Sequence, residues 1–68
     1  MTSISEQNVM LHLAEAEEHL LEKRHGEAAR IYKLLAAEGN TFAKIQLGYF
    51  YENGLGEEKD ISRAMEFY

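Results

Sequence analysis

From Ala43 to Tyr68 the chain reads AKIQLGYFYENGLGEEKDISRAMEFY, and its spacing predicts helix, glycine loop, helix. Ala43, Leu47 and Phe50 recur at i, i+4 and i+7 and so share one helix face. Gly48 falls mid-helix, where it costs about 1 kcal/mol relative to Ala. Such a residue is expected where another helix comes so close that a methyl would clash. Asn53-Gly54 ends the helix, because glycine enters the left-handed region without a Cβ penalty. Gly56 adds a second unrestricted position, and Asp60 is placed to cap the next helix. Ile61, Ala64, Met65 and Tyr68 form the expected apolar stripe of that helix. At about eight residues, Ile61–Tyr68, it is too short to be stable alone.

Upstream, Ser3 with Glu6 fits a capping box, and Ser5 is an alternative cap. Nothing then breaks a helix until about Arg24. Val9, Leu13, Ala16 and Leu20 make a narrow stripe, which Met10 and Leu21 widen. Lys23, Arg24 and His25 sit where they complement the helix dipole. His25-Gly26 is the expected first turn. The next helix, about Glu27 to Glu38, is apolar nearly all round, the pattern of a helix packed between two neighbours. Gly39-Asn40 ends it, and Thr41 begins the third.

Ala28-Ala29-x-Ile31-Tyr32 aligns with Ala64-Met65-x-Phe67-Tyr68 at a shift of 36 residues, a repeat-sized period. Ala16 lies 12 residues before Ala28, whereas Gly48 lies 16 before Ala64. With Ala16 and Gly48 as equivalent contact residues, the second unit carries four extra residues, in the Gly54-to-Lys59 loop.

Ala43, Leu47-Gly48, Tyr51, Gly54-Leu55-Gly56, Asp60, Arg63-Ala64 and Phe67-Tyr68 together resemble the Sel1-like repeat, a relative of the tetratricopeptide repeat. The resemblance is specific over about residues 39–68. It implies an all-α, right-handed solenoid of two antiparallel hairpins, about 4–38 and 41–68, in one domain with a short last helix. It also implies that Tyr51 is core. Where the family has an apolar residue after the second glycine, this chain has Glu57, so the expected loop lacks that anchor and is looser. Two readings of the short last helix are open: a piece of a longer repeat array, or a chain completed by self-association.

A chain of 68 residues buries only about 60% of its unfolded surface, which leaves stability marginal. With 46% hydrophobic residues and no proline, the composition favours a helical globular class over disorder. The net charge of −5, from 12 acidic and 7 basic residues, argues against sequence-independent nucleic-acid binding. The absence of cysteine removes disulfides and thiolate metal sites. No apolar run is long enough to span a membrane and no signal peptide is visible, so the default expectation is a cytoplasmic location.

His12, Glu15 and His19 lie at i, i+3 and i+7, a spacing that could gather metal ligands. A solvated polar helix face is the stronger reading, since no fourth ligand is near. Glu17-Glu18 and Glu57-Glu58 are adjacent carboxylates that diverge or sit in a loop, which does not suit acid–base work. Gly54-x-Gly56 follows a helix, not a strand, and has no lysine in phosphate-loop position. No catalytic residue, metal site or cofactor is therefore expected. Ile45, Tyr49 and Glu52 occupy the third-helix face opposite Ala43, Leu47 and Phe50. Either that face packs on neighbouring helices, or Ile45 and Tyr49 meet a partner, with tyrosine a rigid anchor.

The leading expectation is a non-catalytic module that binds protein or peptide, and the resemblance implies adaptor or scaffold roles. The alternative is a small self-associating helical protein, a homo-oligomer through an edge of Met65, Phe67 and Tyr68. A metal-binding helical protein is the remote third.

Overall fold

The computed structural model describes residues 6–68, with side chains from Asn8 onward. The capping residues Ser3 and Ser5 and the side chain of Glu6 lie outside that description. Four helices follow in order: α1 (Glu6–Leu21), α2 (His25–Ala37), α3 (Thr41–Asn53) and α4 (Ile61–Phe67). The described residues are otherwise turn and loop, so the all-helical class holds. Each helix packs on the next in sequence, α1 on α2, α2 on α3 and α3 on α4. Three residues (22–24) connect α1 to α2 and seven (54–60) connect α3 to α4, the four-residue difference anticipated from the repeat.

The first three helices end in the same way. Arg24 N–H donates to the His19 carbonyl, Asn40 N–H to Leu35 and Leu55 N–H to Phe50. The residue before each donor, Lys23, Gly39 or Gly54, has φ of 61°, 90° or 68°. A six-to-one bond over a left-handed residue satisfies carbonyls that the helix end would leave open. Lys23 takes this position without being glycine, which corrects the expected turn. The chain reverses at Glu22–Arg24, and His25 and Gly26 already belong to α2. That helix starts at Arg24 with no side-chain cap.

The later helix starts match the sequence. Asn40 Oδ1 accepts from Ala43 N–H at 2.7 Å, and Asp60 Oδ1 accepts from Arg63 N–H at 3.0 Å. The long loop is closed by Asp60 N–H donating to the Tyr51 carbonyl at 2.8 Å. Glu57 anchors it as well, though not through an apolar contact. Its carboxylate, only 19% exposed, pairs with Lys33 of α2 at 2.5 Å. That bond, foremost, holds the Lys33 ammonium above its ordinary pKa. Leu55 packs against the core beside it. The loop expected to be loose is thus tied to both α2 and α3.

The core is Ala16, Ala28, Ala29, Tyr32, Leu35, Ala43, Leu47 and Phe50. Its alanines let helices approach closely while Tyr32, Leu35, Leu47 and Phe50 supply volume. Tyr32 meets Phe50 edge-on, with ring centroids 5.7 Å apart and planes at 90°. The α1 stripe is narrower than expected: Val9, Leu13 and Leu20 join the core, whereas Met10 and Leu21 are exposed. On α4 only Ala64 is fully buried, and Phe67, not Ile61, Met65 or Tyr68, packs on the core. A helix with one neighbour buries only the narrow face centred on Ala64 and Phe67.

These turns give opposed predictions. Nothing lies within 4 Å of a Cβ built on Gly26, so Gly26→Ala should stabilise by about 0.5–1 kcal/mol through helix propensity. Lys23→Gly should add a similar amount, about 0.5–1 kcal/mol, by relieving the left-handed lysine. Gly56 has φ of 66°, and a Cβ there would press on the His25 carbonyl carbon at 2.6 Å. Gly56→Ala should therefore cost about 2 kcal/mol or more. Urea unfolding of the three variants checks all three signs.

Candidate functional site

Two exposed surfaces flank the Tyr32–Phe50 junction. The first is a groove between α1 and α3 with a cavity volume of about 320 Å³. Met10, Leu13 and Ala14 of α1 face Phe42 and Gln46 of α3 across a floor made by Tyr32. The buried Tyr32 ring also meets Phe42 at 6.2 Å and 68°. Its hydroxyl ionises above the ordinary value, first because of burial and then because the Glu17 carboxylate faces it, with the Gln46 amide acting in the opposite sense. The sequence singled out none of the groove residues as partner contacts. The available signal was Phe42 and polar Gln46 beside the α3 core stripe, which become a site only once α1 lies opposite.

The second surface is the edge formed by α3 and α4. Ile45 and Tyr49 are each about half exposed, at 50% and 51%, so no helix among the described residues covers that face. Glu52 accepts from the Tyr68 hydroxyl at 2.7 Å, and this bond, foremost, holds the Tyr68 phenol above its ordinary pKa. Met65 and Tyr68 are exposed. Phe67, expected beside them on the edge, instead turns inward and stacks on Tyr51 with centroids 5.7 Å apart and planes 4° from parallel. Tyr51 is buried, and the Arg63 guanidinium lies 5.6 Å from its ring centroid. The neighbour that requires Gly48 is the Tyr68 ring, whose nearest carbons would lie 2.5 and 2.9 Å from an added Cβ, and not the backbone of another helix.

Comparing the repeat positions isolates what is unusual about this edge. Ala28 and Ala64 are both buried, and Ile31 and Phe67 are both partly buried. Ala29 and Tyr32, however, are 1% and 2% exposed, whereas their counterparts Met65 and Tyr68 are 67% and 61% exposed. The difference is α3, which covers α2 and has no counterpart over α4 among the described residues.

The polar residues of α1 do not converge. His12 Nδ1–H donates to the Asn8 carbonyl at 2.6 Å, and His19 Nδ1 accepts from Arg24 Nε–H at 3.1 Å. Among the described residues no group of three or more His, Asp or Glu side chains is arranged to hold a metal ion. No helix of the described chain is long and apolar enough to cross a membrane.

Gly48→Ala tests the edge geometry. The added methyl gains about 1 kcal/mol of helix propensity and meets only the exposed Tyr68 ring, no backbone. Stability to urea should hold or rise, while the Tyr68–Glu52 bond is lost and the Tyr68 phenol returns toward its ordinary pKa. NMR-monitored tyrosine titration reads that shift, and a large loss of stability would show that the ring cannot move.

No protein-family model, no curated protein and no solved structure matches this chain.

Proposed function

We propose that the chain is a non-catalytic protein- or peptide-binding module built as a Sel1-like, tetratricopeptide-type right-handed solenoid of two antiparallel hairpins. The observation that carries this reading is the open groove between α1 and α3, about 320 Å³ with apolar walls over a buried aromatic floor. A concave, largely apolar surface with a few placed polar groups is what peptide recognition uses. Pairwise stacking of helices and the four-residue lengthening of the second connection support the repeat architecture. Adaptor or scaffold work follows from such a surface. Panning a random peptide library on the immobilised protein should yield ligands of about micromolar affinity. Their binding should be lost in Ala14→Arg, which blocks the groove at an exposed wall position. Ligands indifferent to that substitution, or none at all, would sink the reading.

A second reading is self-association through the α3–α4 edge, favoured by the contrast between buried Ala29 and Tyr32 and exposed Met65 and Tyr68. Ile45, Tyr49 and Glu52 then belong to the same contact, as an apolar pair beside a carboxylate already bonded to Tyr68. In that case size exclusion with light scattering gives a dimer that Met65→Glu converts to monomer. A monomer at all concentrations removes this reading and leaves the groove.

A further inference from the structure

We infer that the α1–α3 groove selects a cationic side chain, arginine above all, carried between apolar residues of a bound peptide. The inference rests on the peptide-binding reading and assigns it a ligand chemistry. Among the described residues, Glu17 is the only charged one lining the groove. Among the described residues no Lys, Arg or His pairs with it: Arg24 pairs with Glu22, Lys33 with Glu57, and Arg63 lies over Tyr51. Arg30 and Lys44 line other hollows, on different faces of α2 and α3. The groove therefore presents one exposed carboxylate to an apolar trough, with no cation among the described residues paired to it.

The floor suits the same guest. Phe42 is half exposed, leaving part of its ring open above Tyr32. A guanidinium is planar and weakly hydrated, and it stacks on aromatic faces while its N–H fork reaches a carboxylate. The Tyr32 hydroxyl and the Gln46 side-chain carbonyl are further acceptors in the same groove. An acidic peptide would set like charge against Glu17, in a chain whose net charge is already −5. The flanking apolar residues of the guest would rest on Met10 and Leu13.

The test uses two capped tripeptides, acetyl-Leu-Arg-Leu-amide and acetyl-Leu-Gln-Leu-amide, titrated into the isotopically labelled full chain and followed by amide NMR shifts. The arginine peptide should bind at about the millimolar level and move the amides of Ala14, Glu17, Phe42 and Gln46. The glutamine peptide should bind about fivefold more weakly. Glu17→Gln should remove most of the gap between the arginine and glutamine peptides, the Phe42 stacking remaining, whereas Glu18→Gln, one residue on, should change neither. Raising salt should weaken only the arginine peptide. Equal binding of both peptides in the groove overturns the cation preference and leaves the binding module standing. Shifts confined to the α3–α4 edge, or no shifts with either peptide, overturn the assignment of this groove. Amide spectra of the variants, matching the parent outside the groove, establish that each is folded.

Discussion

The edge-to-face contact of Tyr32 with Phe50 joins α2 to α3 at the centre of the core. Tyr32 is the largest fully buried side chain and belongs to α2, the helix packed on both α1 and α3. Aromatic pairs at this distance and angle add to the burial of their area, because the positive edge of one ring meets the negative face of the other. The four core alanines from α2, α1 and α3 matter for the same reason, since small side chains bring the helices near enough for the rings to meet. Phe50 receives His25 as a second edge contact, so the start of α2 is fixed against the same ring.

The same tyrosine sets the chemistry of the groove. Its ring closes the floor between α1 and α3, and its hydroxyl brings a polar atom to an otherwise apolar trough beside Glu17 and Gln46. Groove and core are thus two sides of one residue. The α4 end has no such arrangement. Tyr68, aligned with Tyr32 at a shift of 36 residues, has Gly48 and Glu52 under one side and no helix among the described residues over the other. Among the described residues the first tyrosine sits in a packed interior and the second on an exposed edge.

Much of the fold was legible along the chain, because helix periodicity and caps are local. Asp60 caps α4 as its side chain predicts, and Gly54 ends α3 in the left-handed conformation expected of it, while Asn40, read as the end of α2, also caps α3. The lengthened second connection could be counted from the spacing of Ala16, Ala28, Gly48 and Ala64. The first turn was misplaced because Lys23 holds a conformation usually marked by glycine, while the nearby Gly26 is an ordinary helical residue. The candidate site was less legible. Ile45 and Tyr49 are accessible, but the groove needs Glu17 and Phe42 brought together from helices that are not neighbours in sequence.

By itself the sequence determined four helices, their approximate ends and the residues of the core stripe on α3, since each depends on interactions within a few residues. Only the tertiary structure decided which exposed groups meet. Lys33 lies on α2 and Glu57 in the connection after α3, and their pairing anchors a loop that lacks its apolar residue. Tyr68 needs the space left by Gly48, a dependence invisible until α4 is laid against α3. Phe67 turns inward while Met65 and Tyr68 turn outward, because α4 has one neighbour and can bury only one narrow face. Such contacts join side chains distant in sequence, and no local spacing rule encodes them.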